Sequence, residues 1–295
     1  MTTPETVHPI IVREKLDFGL DGDIPRYWFG GDPFKSRFWD ALSIIFPPGE
    51  KFFMTCVRDF RAEIKDPKLL DEIQGFNRQE AQHTLVHRQD NDRLRRYGVD
   101  VDALTKMVDD MINVDYRKRF SCKFTLSLTS ALEHFTSIIA HSLFDKRDAM
   151  KEADHRVRAM YAWHAIEEVE HKGVAYDVMV DYAKVGYFMR VWGLMFASVM
   201  FPMTILRVQT ALLKHDGFSR VQRFKMSVKG FWWLFKPGGM LAPMYSHYLS
   251  YYKPGYHPWQ EAEQHGYDEW LRAFNASHDP VAASETMRRD LSLAS

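Results

Sequence analysis

The stretch Gln79-Glu80-Ala81-Gln82-His83 contains the pattern Glu-x-x-His, and Glu168-Val169-Glu170-His171 contains it again. In a helix, residues three positions apart lie on one face, about one turn apart. Each stretch can therefore present a carboxylate and an imidazole to the same metal ion. One such pattern is weak evidence because Glu and His are ordinary surface residues. Two copies in one chain make a shared site the better explanation.

The residues around both stretches have a helical pattern. From Lys35 onward, apolar residues recur at intervals of three and four, and no sustained alternation of period two indicates a strand. The sequence therefore predicts an all-α protein, built as a four-helix bundle with additional C-terminal helices. The predicted helices span residues 35–46, 49–65, 67–96, 101–112, 115–145, 149–182, 186–213, 217–235 and 258–274.

Three short stretches predict where helices end. Pro47-Pro48-Gly49 predicts a break between the first two helices. Asp66-Pro67 is a sharper signal, because Asp caps a helix start and Pro fits the first helical position. The charged residues 145–154 are expected to form the turn between the helices that contain residues 133 and 168.

Two further carboxylates match the Glu-x-x-His pairs. In an antiparallel helix pair, residues equally far from the connecting turn lie at the same height. The midpoint between Glu50 and the first pair falls at Asp66-Pro67, and the midpoint between Glu133 and the second pair falls near Lys151. The sequence therefore predicts that one Glu from each of two helices joins the two Glu-x-x-His pairs in the core.

This arrangement predicts a dinuclear metal site. Burying four carboxylates without a cation would be costly, so a shared metal explains them better. Oxygen and nitrogen donors without a thiolate favour iron or manganese over structural zinc. We predict two iron ions, with manganese or zinc as alternatives. The predicted ligands are Glu50, Glu80, His83, Glu133, Glu168 and His171.

Neighbouring residues leave alternatives open. His164 lies on the same helix face as the second Glu-x-x-His pair, so it is either a seventh ligand or a hydrogen-bonded core histidine. His87, one turn after the first pair, has the same two alternatives. Glu167 and Glu170 point away from the metal face and are expected to be solvated or to support the ligands.

Composition excludes several classes of protein. The chain has 295 residues and 46% hydrophobic content, enough for a globular core. Lys plus Arg and Asp plus Glu both number 39, so no net field indicates a nucleic-acid partner. Cys56 and Cys122 have no metal-binding or disulfide spacing, and residues 1–17 do not resemble a signal peptide. These features predict a cytoplasmic protein.

The C-terminal third contains an uncharged run, residues 191–206, between Arg190 and Arg207. It is short for a bilayer span, which needs about 20 residues. We expect a helix buried against the bundle and kinked at Pro202, with a peripheral membrane contact or an apolar substrate channel as alternatives. Aromatic residues at 231–235 and 244–252 are consistent with a homodimer interface or a hydrophobic substrate.

The predicted organisation has four parts. Residues 1–33, rich in Pro, Gly and Asp, form an irregular N-terminal arm. Residues 34–182 form the metal-binding bundle, and residues 183–277 form accessory helices packed on it. Residues 278–295 are small and polar and are expected to be a flexible tail.

The stretch Phe46-Pro47-Pro48-Gly49-Glu50-Lys51-Phe52-Phe53, followed by Gln79-Glu80-Ala81-Gln82-His83, resembles the bacterial family of predicted metal-dependent hydrolases. The resemblance spans nearly the whole chain, and that family looks like a branch of the ferritin-like superfamily. The chain departs from the family pattern at one position, because the predicted break places Glu50 at the start of its helix and not in the middle. The resemblance implies as ligands Glu50, Glu80, His83, Glu133, Glu168 and His171, with His164 as a seventh candidate.

The spacing His164-x-x-x-Glu168-x-x-His171 also resembles the p-aminobenzoate N-oxygenase type of di-iron enzyme, in which an added histidine enriches the nitrogen ligation. With iron bound, we expect activation of dioxygen for oxygenation or oxidation of a small apolar or aromatic substrate, with an electron donor as partner. A metal-dependent hydrolase that uses a metal-bound water is the first alternative. A ferroxidase or iron-binding protein is the second.

Overall fold

The computed structural model describes residues 8–145, 150–242, 244–261 and 265–293. Within these ranges the protein is all-α, as predicted, and contains no strand. The α-helices are α1 (Pro33–Arg58), α2 (Pro67–Arg96), α3 (Val101–Asp109), α4 (Arg117–Arg119), α5 (Cys122–Asp145), α6 (His155–His171), α7 (Val174–Asp177), α8 (Tyr187–His215), α9 (Arg220–Phe235), α10 (Met244–Ser250), α11 (His265–Ser277) and α12 (Pro280–Leu293). π-Helical segments follow α3 (Asp110–Tyr116) and α7 (Val178–Tyr182), and a 3-10 turn spans Pro258–Gln260.

Helix α1 runs unbroken through Pro47 and Pro48, so the predicted break at Pro47-Pro48-Gly49 is wrong. A proline inside a helix lacks the N–H that would bond to the carbonyl four residues earlier. For Pro47 that carbonyl belongs to Ser43, and the Nδ2 atom of Asn91 on α2 donates to it at 2.9 Å. A neighbouring helix thus supplies the missing hydrogen bond.

The continuity of α1 changes the position of Glu50. This residue lies in the interior of the helix and not at its start, so the expected departure from the family pattern is wrong. The prediction for the next helix is confirmed. Asp66 accepts a hydrogen bond from the backbone N–H of Lys68, and Pro67 is the first residue of α2.

Helix α6 begins later than predicted, at His155 and not at residue 149. Asp154 caps it by accepting a hydrogen bond from the backbone N–H of Arg156 at 3.0 Å. The predicted turn at residues 145–154 therefore lies between α5 and α6, although residues 146–149 are outside the described part of the chain. The predicted helix 149–182 also breaks after His171, where α6 ends.

Helices α1, α2, α5 and α6 carry the predicted metal ligands. Helix α1 contacts α2 and α5, and α6 contacts the same two helices. Each of the four therefore touches two others, which encloses a common core. The ferritin-like classification and the domain boundaries around residues 34–182 and 183–277 stay predictions.

Helix α8 packs closely on this core. A Cβ atom on Gly193 would lie 2.5 Å from the Ser127 hydroxyl of α5, so only glycine permits this contact. The Gln209 side chain donates to the Phe34 carbonyl of α1 at 3.0 Å. By length and composition, α8 is the one described helix that could cross a membrane, and 33% of its most apolar stretch is buried.

The predicted flexible tail at residues 278–295 is wrong for the part that the structure describes, because residues 280–293 form α12. This helix packs on α6 and α11, and Ala283 and Met287 are buried. The N-terminal arm has no helix between residues 8 and 32, and it buries Trp28 in the core. Residues 1–7 and 294–295 of these predictions lie outside the described residues.

We expect Asn91→Ala to lower the free energy of unfolding by about 1–3 kcal/mol, because the Ser43 carbonyl would lose its partner. Pro47→Ala provides the matched background, since it restores an N–H at position 47. In the Pro47→Ala background, Asn91→Ala should lower the free energy of unfolding by a clearly smaller amount. The measurement is a double-mutant cycle followed by urea denaturation. Equal costs in both backgrounds would contradict this role of Asn91.

Candidate metal centre

The structure brings the six predicted ligands together in one buried cluster. Each helix of the enclosed core contributes, and no ligand side chain has more than 3% of its surface exposed. A carboxylate comes from each of α1 and α5, and a Glu-x-x-His pair comes from each of α2 and α6. These residues are Glu50, Glu80, His83, Glu133, Glu168 and His171.

Two glutamates lie between the two imidazoles. Glu80 places Oε2 3.6 Å from Nδ1 of His83 and Oε1 3.5 Å from Nε2 of His171. Glu168 places Oε1 3.8 Å from the same His83 nitrogen and Oε2 3.5 Å from the same His171 nitrogen. Each carboxylate therefore offers one oxygen to each imidazole, which is the arrangement required to bridge two cations.

The other two glutamates lie on opposite sides of this pair. Glu50 groups with Glu80 and His83, with donor atoms within 4.8 Å of one another. Glu133 groups with Glu80 and His171 within the same limit, and its Oε2 lies 3.4 Å from Nε2 of His171. The cluster thus consists of two half-sites, a Glu50 half-site and a Glu133 half-site, which share Glu80.

Many of the donor atoms have no hydrogen-bond partner among the described residues. They are both carboxylate oxygens of Glu80 and of Glu133, Oε1 of Glu50, Nδ1 of His83 and Nε2 of His171. Buried polar atoms without partners are rare because each loses its hydration without compensation. Two cations, one in each half-site, would satisfy these atoms together. The residues present therefore fit a dinuclear metal centre.

The carboxyl groups of the cluster differ in the direction in which their surroundings shift their pKa values. Burial, and next the adjacent Glu80 carboxylate, raise the pKa of Glu50 well above its usual range. Burial, and next Glu168, do the same to the pKa of Glu133. For Glu168, burial acts upward, but His171 and His164 outweigh it and hold its pKa well below the usual range. The outer carboxyls, Glu50 and Glu133, thus bind protons more readily than an exposed glutamate does, and Glu168 binds them less readily.

A buried network orients His171. Its Nδ1 lies 2.9 Å from Oε1 of Gln79, an acceptor, so Nδ1 carries the proton and Nε2 is free to bind metal. The Gln79 amide nitrogen donates to Glu170 at 2.7 Å. Glu170 also accepts from Arg13 at 2.7 Å and from the Tyr267 hydroxyl at 3.0 Å. Glu170 is therefore a buried supporting group and not a solvated one.

A second buried network supports His83. Its Nε2 lies 3.2 Å from Oε2 of Glu167, within ion-pair distance but without a hydrogen bond, and its Nδ1 faces Glu80 and Glu168. Glu167 accepts hydrogen bonds from the indole N–H of Trp163 at 2.9 Å and from Arg13 at 3.2 Å. Solvation of Glu167 and Glu170 is excluded, and support of the ligands is the alternative that fits. No sequence pattern marked Arg13, which lies in the irregular N-terminal arm.

His164 and His87 continue the cluster beyond the half-sites. His164 places Nε2 2.9 Å from Oε1 of Glu168 and Nδ1 2.8 Å from Nε2 of His87. His87 is bonded in turn to the Ser43 hydroxyl at 3.0 Å. Burial, and next the charge of His83, lower the pKa of His164 to about 4, so it is neutral near pH 7. Both histidines are close enough to join a metal group, and their ligand roles stay predictions.

A small apolar cavity of about 40 Å³ borders the Glu50 half-site. Glu50 forms part of its wall, together with Thr136, whose hydroxyl donates to Oε2 of Glu168. The rest of the wall is mainly aliphatic and aromatic and includes Phe53, Leu132 and Phe201. The centre thus opens toward space that favours apolar groups over water.

Comparison with known proteins agrees with this geometry. No curated protein and no solved structure matches the chain. Residues 12–262 match the model of a family described as predicted metal-dependent hydrolase. The match covers most of the chain and includes every residue of both half-sites. The chain therefore belongs to the predicted metal-dependent hydrolase family.

Proposed function

We propose that this chain is a hydrolase that depends on two metal ions, one held in each half-site. The observation that carries the proposal is that Glu80 and Glu168 each offer one oxygen to His83 and the other to His171. Family membership supports the reaction class. The proposed ligands are Glu50, Glu80, His83, Glu133, Glu168 and His171, with His164 as a candidate seventh.

The donor set suits several metals. Carboxylate oxygen and imidazole nitrogen bind iron, manganese and zinc alike, and no described cysteine lies among the donor groups. When bound, the cations would supply Lewis-acid chemistry and would make a water molecule nucleophilic near neutral pH. Iron remains our first choice of metal, with manganese or zinc as alternatives.

The protein's own residues position and shield the reaction. Gln79 holds the His171 imidazole by a hydrogen bond so that Nε2 faces the half-sites, and Glu167 lies 3.2 Å from Nε2 of His83, on the side away from Glu80 and Glu168. Thr136 holds an oxygen of Glu168 by a hydrogen bond. Glu50 borders the apolar cavity, so a substrate there would lie next to the Glu50 half-site. Because the wall of this cavity is apolar, we infer a substrate with an apolar group beside its hydrolysed bond.

Oxidation by dioxygen is the second candidate, and the ligand pattern favours it. One Glu from each of two helices and Glu-x-x-His from each of two others is the pattern of di-iron and di-manganese carboxylate proteins. With iron bound, the same centre would serve oxygenation or oxidation of an apolar or aromatic substrate and would require an electron donor. A ferroxidase would show oxygen consumption with Fe²⁺ alone.

We expect Glu80→Ala to abolish stoichiometric metal binding, since Glu80 belongs to both half-sites. Metal analysis of the purified natural chain should give two ions per chain and the variant less than one. Added metal should raise the melting temperature of the natural chain but not that of the variant. Glu63→Ala, at an exposed glutamate outside the site, is the matched control and should keep both ions. Full metal content in Glu80→Ala would refute the shared half-sites.

Metal binding should release protons and weaken as pH falls. Burial raises the pKa of Glu50 and that of Glu133, so both carboxyls bind protons more readily than an exposed glutamate, and protons compete with a cation for the same oxygens. Calorimetric titration in buffers of different ionisation enthalpy should show release of at least about one proton per chain. Glu133→Gln should reduce that number. Binding without proton release would contradict this assignment.

The reaction class can be tested with and without dioxygen. The metal-loaded protein should hydrolyse chromogenic esters or amides at the same rate in air and under anaerobic conditions. The rate should rise with the apolar character of the acyl group and should be lost in Glu80→Ala, while Glu63→Ala keeps it. Product formation only with dioxygen and a reductant would favour the second candidate and contradict the hydrolase.

A further inference from the structure

Helix α8 exposes a long apolar stripe. Along one face of the helix, large apolar side chains recur at intervals of three and four residues. Two of them show how open this face is: Phe188 is 87% exposed and Trp192 is 55% exposed. The stripe consists of Phe188, Trp192, Met195, Val199, Met203 and Leu206. A stripe of this length and exposure is far more than the scattered apolar residues of an ordinary protein surface.

Helix α9 contacts α8 and exposes a similar stripe with basic residues beside it. Its apolar residues are Val221, Phe224, Val228, Phe231 and Trp232, each more than half exposed. Lys225 and Lys229 follow Phe224 and Val228 directly, so they form a row along the border of the stripe. An apolar face bordered by lysines is the pattern of a helix that lies in a membrane interface.

Both stripes meet at one cavity. Met203 and Leu206 of α8, Phe231 of α9 and Tyr245 of α10 are all exposed, and all four line an apolar cavity of about 640 Å³. We call the stripes of α8 and α9 together with Tyr245 the docking face. The cavity reaches Phe201, which also lines the small cavity beside Glu50.

The charge of this region is strongly one-sided. Between Asp181 and Glu261 the sequence has one acidic residue, Asp216, whose side chain is buried and paired with Arg37. The exposed basic residues in the same segment form no ion pair with any described residue. They are Lys184, Arg207, Lys214, Arg220, Lys225, Lys229, Lys236 and Lys253. The segment therefore complements an anionic surface, although the whole chain is neutral.

Two other occupants fit less well. A second copy of the chain would place its own basic segment against this one, and like charges would oppose the contact. Helix α8 also does not cross a bilayer in this fold, because its opposite face is committed to the core through Gly193 and Gln209. The helix can offer a lipid phase one face only.

We propose that the docking face binds the surface of an anionic lipid bilayer. The apolar stripes enter the boundary between headgroups and acyl chains, and the lysines contact the lipid phosphates. This next step rests on the proposed function. The cavity then admits the apolar chain of a bilayer-resident substrate toward the Glu50 half-site. The substrate class is an amphiphile whose hydrolysed bond lies next to a long apolar chain.

The test is flotation of the full-length protein with phosphatidylcholine vesicles that contain or lack phosphatidylglycerol. We expect binding to the anionic vesicles, weakening as salt is raised, and little binding to the neutral ones. Lys225→Glu with Lys229→Glu should weaken binding at least about 25-fold, from roughly fivefold per basic residue near such a surface. Lys15→Glu with Arg88→Glu, the same charge change at exposed positions outside the docking face, should stay within about twofold of the natural chain.

A second readout reports the apolar stripes. Vesicles with brominated acyl chains should quench tryptophan fluorescence, and Trp192→Phe with Trp232→Phe should remove most of that quenching while binding persists. Phe224→Ser with Val228→Ser should weaken binding, whereas Leu85→Ser on α2, also at an exposed apolar position, should not. Circular dichroism of each variant confirms that it is folded.

The outcomes separate this proposal from the proposed function. Glu80→Ala should bind vesicles like the natural chain, since docking needs no metal, so a failed metal centre leaves the docking result intact. Absence of vesicle binding, or equal loss in both charge-reversal variants, would overturn docking. A solution dimer that Phe224→Ser abolishes would identify a second copy as the occupant and would also overturn it.

Discussion

The mutual repulsion of buried carboxylates is the constraint on which this structure depends. Six glutamate side chains, each at most 3% exposed, lie within or directly behind the two half-sites. One guanidinium, that of Arg13, offsets two of them directly. Of the remaining four, three belong to the half-sites, and Glu168 lies between His83 and His171. None of the four forms an ion pair with a described lysine or arginine, which makes cations the natural complement. The six are Glu50, Glu80, Glu133, Glu167, Glu168 and Glu170.

Helix geometry determines which of the six carboxylates face the half-sites and which face the N-terminal arm. On α6, residues 168 and 171 share one face, while Glu167 and Glu170 point to other sides and meet the N-terminal arm. Arg13 reaches both, and through Gln79 its charge is linked to the orientation of His171. The arm therefore helps to orient His171, a proposed metal ligand, through Glu170 and Gln79. Its irregular backbone is suited to this role because it can follow the bundle surface to place one guanidinium.

Local sequence predicted the site better than the fold's details, for physical reasons. The Glu-x-x-His spacing and the Asp66-Pro67 cap depend on residues a few positions apart, so both were readable. The continuation of α1 through Pro47 could not be predicted from nearby residues. The hydrogen bond that satisfies the Ser43 carbonyl there comes from Asn91, which is distant in sequence. Arg13 was missed for the same reason. The helix at residues 280–293 was missed although Asp279-Pro280 carries the same start signal, because the small and polar residues that follow it resemble a flexible tail.

The apolar surroundings and the charged centre require each other. The attraction between a cation and a cluster of carboxylates is strongest where water is excluded, since screening there is weak. Phe53, Leu132 and Phe201 exclude water from the small cavity. Because these side chains make no hydrogen bonds, an apolar chain can pack against them without leaving a buried polar group unpaired. Phe201 lines both cavities, so the proposed route from the docking face to Glu50 passes this apolar side chain. An apolar substrate group placed there would exclude bulk water from the centre, whereas a polar one would compete with bound cations for the same carboxylates.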